Sequence, residues 1–350
     1  MDEAVERLAA TIRDAADSGR PLAIRGAGSK DFLGHPVAAD TLSTADLRGI
    51  VAYEPSELVV TVRAGTPLAE VEAALAGEGQ MLAFEPPRLA PESTIGGALA
   101  AGLSGPARPF RGAARDFVLG CRVLDGRGRQ LVFGGQVMKN VAGYDVSRLL
   151  TGSMGCLAVL LEVSLKVLPR PATDLSVALE CSEDEAIDTM CRLGGRALPL
   201  SAAAWADGVL RLRLSGARAA VAAARTVIGG ETTDAAYWEA VRDQRTGNFL
   251  SSLPLWRVSV PAATPPLDLP GSPLIDWGGA QRWIATEAEA EVVRAAAGAA
   301  GGHATRYRGG DPRVPAFHPL PEPLLALHRR LKAALDPAGI LNPGRLYASL

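Results

Sequence analysis

The sequence predicts an α+β protein with two domains. Its 350 residues exceed the roughly 150 that are typical of one domain. Hydrophobic residues make up 48% of the chain, and 38 glycines with 25 prolines indicate a globular, turn-rich protein. The pattern changes near residue 170, from a glycine-rich first part to a regular alternation of strands and helices. We therefore expect domains at 1–172 and 173–317, with residues 318–350 returning to the first domain.

The elements of the first domain follow from hydrophobic periodicity. Apolar residues three and four positions apart indicate helices, and strict alternation indicates strands with one buried face. The expected elements are, in order, a helix over 2–18, a strand over 21–25, a strand over 57–64, a helix from Pro67 with Thr66 as its N-cap, a hairpin over 121–133, a short helix over 146–150 and a strand over 157–168.

The second domain predicts an antiparallel sheet covered by helices. Its first helix begins with a capping box, Ser182 to Glu185, and Asp207-Gly208 is the expected turn between two strands. The expected order is strand, helix, strand, strand and helix over 175–228, a helix over 233–247, strands over 254–260, 274–277 and 281–285, a helix over 287–299 and a strand over 304–308. An amphipathic helix with Leu324, Leu327, Leu331 and Leu335 on one face then begins the last segment.

Charge and hydropathy exclude several classes of protein. The chain carries 36 Lys and Arg against 38 Asp and Glu, which argues against a chain-wide nucleic-acid surface. The longest apolar stretch, 157–168, contains Glu162 and Lys166 and is shorter than the roughly 20 residues of a membrane-spanning helix. The acidic start of the chain is unlike a secretory signal, so we expect a cytoplasmic protein.

Metal chemistry is also not expected. The four cysteines and four histidines show no spacing typical of metal ligands. The sequence therefore predicts neither a metal site nor a ligand set for an iron–sulfur cluster.

The first glycine-rich loop comprises Arg25, Gly26, Ala27, Gly28, Ser29 and Lys30. Two glycines directly after an apolar strand allow several backbone N–H groups to point the same way and form an anion-binding nest. Asp31 and Pro36 exclude a dinucleotide-binding Rossmann fingerprint, because a third glycine and a helix are missing there. An ordinary tight turn is the alternative.

The second glycine-rich segment begins at Ser93 and Thr94. Either residue could cap a helix whose first turn contains Gly96 and Gly97. Glycine inside a helix costs about 0.5–1 kcal/mol relative to alanine, so this pair indicates close approach of a ligand or of another backbone. Tight helix packing is the alternative. Two such loops within seventy residues favour a diphosphate or an extended flavin-like ligand.

A third polar, glycine-bearing loop runs from Lys139 to Asp145, followed by residues 152–155 and then the long strand. Such a loop suits the edge of a cofactor or the mouth of a substrate site. A solvated loop is the alternative.

These segments together resemble a known family. In order they read RGAGSK, PESTIGGALAAGLSG, DFVLGCRVLDGRG, KNVAGYDVSRLLTGSMGCLAVLLEVSLKVLP and DPAGILNPGRL. The order is similar to that of flavoproteins with the vanillyl-alcohol-oxidase (PCMH-type) FAD domain, in particular the FAD-binding subunits of glycolate oxidases. The resemblance covers roughly residues 1–170 and the tail after 318. It implies a PCMH-type FAD-binding domain and a second α+β cap domain.

The resemblance also implies roles for individual residues. The first loop would hold the FAD pyrophosphate, the second segment would form another FAD loop, and further residues would border the cofactor or return the tail to it. The residues implied in cofactor binding are Arg25, Gly26, Ala27, Gly28, Ser29, Lys30, Ser93, Thr94, Gly96, Gly97, Leu119, Gly120, Gly143, Gly155, Leu157 and Asn342. Covalently flavinylated members carry a histidine where this chain has Ser29, so we expect noncovalent FAD.

The catalytic residues are not evident from the sequence. Larger relatives that oxidise 2-hydroxy acids carry a histidine-rich HGDGN-like motif, which this chain lacks. Oxidation of a 2-hydroxy acid requires a proton acceptor and a cation for the carboxylate. The available residue types are Lys139, Tyr144, Arg257 and His318, and their spacing does not bring them together.

The resemblance implies an FAD-dependent oxidoreductase subunit acting on glycolate or another 2-hydroxy acid. It further implies a complex with a larger FAD subunit and an iron–sulfur subunit, without a direct membrane span, though the complex could attach to a membrane through a partner. Because the histidine motif is missing, we expect this chain to relay electrons. The alternatives are a self-sufficient flavin oxidase and a non-catalytic scaffold subunit with a vestigial FAD fold.

Overall fold

A computed structural model describes residues 2–135 and 144–350 of the chain. It divides into two compact units. Unit 1 comprises Met1–Leu103, Ala113–Pro169 and Pro319–Leu350, and unit 2 comprises Ser104–Gly112 and Arg170–His318. In the described residues, no helix is both long enough and apolar enough to cross a bilayer.

The helices are α1 Glu3–Ser18, α2 Leu68–Gly77, α3 Ile95–Ala101, α4 Arg108–Arg111, α5 Val146–Leu150, α6 Glu183–Gly194, α7 Arg218–Ile228, α8 Ala236–Arg242, α9 Ala290–Ala299 and α10 Glu322–Leu335. The strands are β1 Leu22–Arg25, β2 Asp40–Ser43, β3 Ile50–Glu54, β4 Val59–Arg63, β5 Gln80–Met81, β6 Val118–Leu124, β7 Gln130–Gly134, β8 Val159–Lys166, β9 Leu168–Pro169, β10 Thr173–Glu180, β11 Leu200–Ala206, β12 Val209–Gly216, β13 Glu231–Thr233, β14 Leu255–Ser259, β15 Leu274–Asp276, β16 Gln281–Ala285 and β17 His303–Arg308.

The main sheet of unit 1 has five antiparallel strands in the order β3-β4-β8-β6-β7. Strand β8 alternates buried and partly buried side chains, as the sequence pattern predicts. Val163 and Leu165 of β8 share one buried core with apolar residues of α2 and α3. The helices therefore rest on this sheet, and the N-terminus of α3 is fixed relative to the end of β4.

A second, smaller layer of unit 1 joins both ends of the chain. Strands β1 and β2 pair in parallel, and Leu22 of β1 also bridges in parallel to Leu341. The buried face of α1, including Ile12, packs in the same core as Leu22 and Leu341. The last segment thus returns to the strand that leads into the first glycine-rich loop.

Unit 2 contains an eight-stranded antiparallel sheet in the order β13-β10-β12-β11-β15-β16-β14-β17. Ile187 and Met190 of α6 pack with residues of β10, β11 and β12, and Val293 of α9 packs with residues of β14 and β17. The capping box at Ser182 is present: the Ser182 hydroxyl accepts from the N–H of Glu185, and the Glu185 carboxylate accepts from the N–H of Ser182 at 2.8 Å.

Two local predictions differ from the structure. Thr66 is not a helix cap: Pro67 occupies the N-cap of α2, and the Thr66 hydroxyl donates to the carbonyl of Arg63 at 2.7 Å. The helix expected over 233–247 extends only over Ala236–Arg242, followed by a short 3-10 turn. The amphipathic helix expected in the last segment is present as α10, and its residues Leu324 and Leu327 are 41% and 46% exposed.

Candidate functional site

Two adjoining cavities in unit 1 form one cleft. Each encloses about 70 Å³. The residues that line both of them are Ile24, Gly26, Gly97, Ala100, Met154 and Asn342. Gly28 of the first loop and Gly97 of the second segment line the same cavity. The two glycine-rich segments, far apart in sequence, therefore face one shared space.

The first loop offers unused backbone donors to this cleft. Gly28 has a φ of +74°, a left-handed conformation that glycine adopts without strain. Among the described residues, the backbone N–H groups of Ala27, Gly28, Ser29 and Lys30 donate to no protein acceptor. Consecutive backbone N–H groups that have no protein acceptor and belong to residues lining a cavity are suited to bind an anion.

The two glycine-rich segments also contact each other directly. The hydroxyls of Ser93 and Ser29 are 3.0 Å apart and hydrogen bonded. A Cβ atom at Gly26 would lie only 2.7 Å from the hydroxyl oxygen of Thr94, so glycine is required for this approach. Thr94 is the N-cap of α3, and its hydroxyl accepts from the N–H of Gly97 at 3.1 Å.

The glycine pair of α3 has two different roles. A Cβ at Gly96 would lie 2.7 Å from both the Cβ and the carbonyl oxygen of Ala64, so Gly96 permits packing of the helix against the end of β4. Gly97 has only the Thr94 hydroxyl nearby, at 3.1 Å, and its other side faces the cleft. Both glycines line the cleft, but close packing accounts for Gly96, whereas Gly97 borders open space.

Asn342 joins three segments at the base of the cleft. Its side-chain oxygen accepts from the N–H of Ile24 at 2.8 Å, and its amide donates to the carbonyl of Met154 at 2.6 Å. A Cβ at Gly155, whose φ is +72°, would lie 2.8 Å from this amide nitrogen. Asn342 is therefore a clamp that fixes the cleft wall, and its polar atoms are occupied by the protein backbone.

The cleft wall is positively charged. Arg25, Lys30 and Arg345 line it together with one acidic residue, Asp31, which leaves a net formal charge of +2. Asp31 forms an ion pair with Arg25, and Arg345 donates to the carbonyl of Lys30 at 3.1 Å. Burial lowers the pKa of Lys30 to about 8 and also lowers the pKa of Arg345.

Several residues implied in cofactor binding do not line this cleft. Leu119 and Gly120 lie in β6, where Gly120 packs against the backbone of Gly135. Leu157 lines a separate apolar cavity with Leu331 and Leu350. Gly143 and the catalytic candidate Lys139 lie outside the described residues.

The other catalytic candidates are divided between the two units. Tyr144 belongs to unit 1 and is 95% exposed. Arg257, on β14, and His318 belong to unit 2. Arg257 lies over the ring of Tyr307 with its guanidinium carbon 5.9 Å from the ring centre. The His318 ring accepts from the N–H of Ala304 at 3.3 Å.

Sequence reasoning missed part of the cleft. Arg345 and Met154 line it, as do Ala100 and Ala101 of α3. Arg345 ends the DPAGILNPGR segment, and Ala100 and Ala101 lie in the run of small residues after Gly97. All three residues therefore belong to motifs that were quoted above. Met154, which adopts a positive φ of 53°, lies in the segment 152–155 that the sequence analysis also quoted.

The arrangement fits a dinucleotide cofactor. The free backbone donors of the first loop and the net positive wall suit a diphosphate, whose two phosphates each carry one negative charge. The remaining cleft lining, including Ile24, Leu160 and Ala158, is largely apolar and suits a flat organic ring system.

Comparisons with known families agree with this chemistry. Residues 3–134 match the family described as the FAD binding domain. Residues 320–346 match the C-terminal domain of FAD linked oxidases. The expected α+β fold with a PCMH-type FAD-binding domain, and FAD as the cofactor, are thereby confirmed.

Individual relatives extend this result. The chain is 49% identical over 345 residues to the glycolate oxidase subunit GlcE of Escherichia coli (strain K12), covering 99% of this chain and 98% of that protein. It is 32% identical over 124 residues to the glycolate oxidase subunit GlcD of Bacillus subtilis (strain 168), covering 35% and 26%. An alkyldihydroxyacetonephosphate synthase structure superposes with a TM-score of 0.66 at 14% identity, covering 97% of this chain and 74% of that one, which shows the fold alone.

Proposed function

Because the chain belongs to the FAD-linked oxidases, in the family of the glycolate oxidase subunit GlcE, we propose that it is the FAD-binding subunit of a complex that oxidises glycolate. The reaction converts a 2-hydroxy acid to a 2-oxo acid. The observation that carries this proposal is the shared cleft, in which Gly28 and Gly97 face one cavity beside four free backbone donors.

In this proposal the protein binds and orients the cofactor without a covalent bond. The N–H groups of residues 27–30 hold the diphosphate, and Gly97 leaves room beside it. Ser29 stands where a histidine would be needed for covalent attachment in the related flavoproteins. FAD, when bound, supplies the capacity to accept two electrons from an alcohol and to pass them on.

The names of the relatives support a multi-subunit assembly. GlcE and GlcD are both named as subunits of glycolate oxidase. We extend this to a complex in which our chain associates with a larger FAD subunit and an iron–sulfur subunit that receives the electrons. The proposed location is the cytoplasm, with any membrane attachment provided by a partner.

This chain could have either of two roles within the complex. The chain could relay electrons only, which the absence of a histidine-rich HGDGN-like motif from its sequence favours. It could instead contact the substrate, which Arg257 favours. In the described part of the chain, Arg257 forms no ion pair and is only partly accessible, and burial lowers its pKa. An unpaired guanidinium of this kind suits a substrate carboxylate.

The visible spectrum of the purified protein tests the cofactor assignment. We expect absorption bands of oxidised flavin that are released into the supernatant on denaturation, because no covalent bond is formed. A colourless protein that takes up no FAD would support the scaffold alternative.

Anaerobic addition of glycolate then separates the roles. A pure relay predicts bleaching of the flavin only when the partner subunits are present. Bleaching of the isolated chain would show that it oxidises the substrate itself, and loss of that bleaching in Arg257→Met would assign Arg257 to the substrate carboxylate.

A further inference from the structure

Lys30 is a buried lysine without a counter-ion. Its side chain is 7% exposed and lines the cleft. Its ammonium group donates to the hydroxyl of Ser29 at 3.2 Å. In the described residues Lys30 forms no ion pair, and residues 136–143 contain no acidic side chain. Two of its three N–H donors are therefore left for a ligand.

The charged neighbours do not supply the missing partner. The charged side chains on the same wall are Arg25, Asp31 and Arg345, and the carboxylate of Asp31 is paired with Arg25. Burying a cation without a partner is unfavourable, and a protein retains such a group most readily where a ligand completes it. An anion in the cleft would remove this cost.

We propose that Lys30 favours a flavin that carries phosphate over one that does not, by placing its ammonium group against a phosphate oxygen of the cofactor. This inference rests on the proposed cofactor site and adds to it a side-chain charge, whereas the neighbouring loop contributes backbone donors. The phosphates of FAD thereby contribute to affinity in addition to the flavin ring.

A dependence on pH follows. In the empty cleft, burial lowers the pKa of Lys30 to about 8, so the ammonium is mostly charged at neutral pH. A bound phosphate favours the charged form and raises this pKa. Binding therefore takes up a proton above pH 8, and FAD affinity falls by about tenfold per pH unit until the pKa of the complex is reached.

The test measures equilibrium binding of FAD and of riboflavin, which lacks phosphate, to the full-chain apoprotein between about pH 6.5 and about pH 9.5. Flavin fluorescence reports the bound fraction. Lys30→Met should lower FAD affinity by about 10- to 100-fold at neutral pH, leave riboflavin affinity within about twofold, and abolish the decrease above pH 8.

Two further variants make the result specific. Lys30→Arg keeps its charge throughout this range, so its FAD affinity should not decrease above pH 8. Lys166→Met removes the same charge from a partly buried position on β8 outside the cleft and should change neither affinity nor pH dependence.

The outcomes separate the two proposals. Wild-type apoprotein that takes up no FAD would overturn the cofactor site itself. Uptake of FAD by the wild type with an unchanged affinity and pH dependence in Lys30→Met would overturn only the role of Lys30. An equal loss of riboflavin affinity in Lys30→Met would also overturn the role of Lys30, because riboflavin has no phosphate that Lys30 could contact.

Discussion

Two buried lysines in the described part of unit 1 have contrasting surroundings. Lys332 of α10 lies at the C-terminal junction, where its ammonium contacts the carboxylate of Asp336 at 2.7 Å and donates to the carbonyls of Cys156 and Leu341 at 2.8 and 2.5 Å. Lys30 lies in the cleft and has one hydroxyl partner, that of Ser29. Both side chains are less than a tenth exposed.

The difference separates structural charge from ligand-binding charge. At the junction all three donors of Lys332 are used, and Asp336 in turn accepts from the N–H groups of Ile340 and Leu341. This network fixes the segment that ends in Asn342, the clamp at the base of the cleft. A fully paired buried charge therefore builds the wall, and an incompletely paired one faces the ligand.

The largest expected effect is at the junction. Lys332→Met leaves Asp336 buried without its cation, so the free energy of unfolding should fall by about 3–5 kcal/mol, measured by urea denaturation of the apoprotein. Lys166→Met is the control and should change it by less than about 0.5 kcal/mol. A loss below about 1 kcal/mol at Lys332 would remove the distinction between the two lysines.

Substitution of Lys30 should have the opposite effect on the free energy of unfolding when no cofactor is bound. Its pKa of about 8 in the folded chain is below the ordinary value of 10.5, so the charged form is disfavoured by folding at neutral pH. Lys30→Met should raise the free energy of unfolding of the apoprotein by up to about 3 kcal/mol at pH 7. The same variant should bind FAD more weakly.

The destabilising effect of the Lys30 charge on the folded apoprotein should depend on pH. Because the folded pKa is the lower one, the penalty is fully present below pH 8 and disappears as the pH rises toward 10.5. The stability of the wild type should therefore approach that of Lys30→Met across this interval in urea denaturation. Two parallel pH profiles would contradict the account.

The glycine pair of α3 provides a smaller version of the same comparison. Gly96→Ala forces a methyl group against Ala64 and should lower the free energy of unfolding by about 1–3 kcal/mol. Gly97→Ala meets only the Thr94 hydroxyl, so stability should be unchanged or higher by up to about 1 kcal/mol. Its methyl group enters the cleft and should weaken FAD binding by at least about tenfold.

Thermal unfolding measures the stability of Gly96→Ala and Gly97→Ala, and FAD titration measures their affinity for the cofactor. Gly19→Ala is a control for glycine loss outside the cleft, since Gly19 has a φ of +67° and open space around it. It should cost about 1 kcal/mol without changing FAD affinity. Equal loss of FAD affinity in Gly96→Ala and Gly97→Ala would contradict the division of roles.

Much of the architecture was predictable from local pattern. The strong alternation in β8, the capping box of α6 and the two glycine-rich segments are features of neighbouring residues, and the structure contains each of them. Strand β2 was missed because only one of its four residues is buried, and β3 because none is. Their short sequences show no alternation from which a strand could be inferred.

The remainder of the site depends on contacts between distant residues. The clamp of Asn342 on Ile24 and the contact of Arg345 with Lys30 each span more than 300 residues, so no local period reveals them. Burial of Lys30 could not be inferred either, because lysine in a glycine-rich loop is normally exposed. Resemblance to a family indicated the loop as a whole, whereas the structure distinguishes its side chains.

Amide hydrogen exchange of the full chain, with and without FAD, measures whether the N–H groups of residues 27–30 hold the cofactor diphosphate, as we propose. We expect slower exchange on FAD binding at Ala27, Gly28, Ser29 and Lys30, with exchange in the sheet of unit 2 far less affected. Saturation with FAD that leaves the exchange of these four amides unchanged would contradict it.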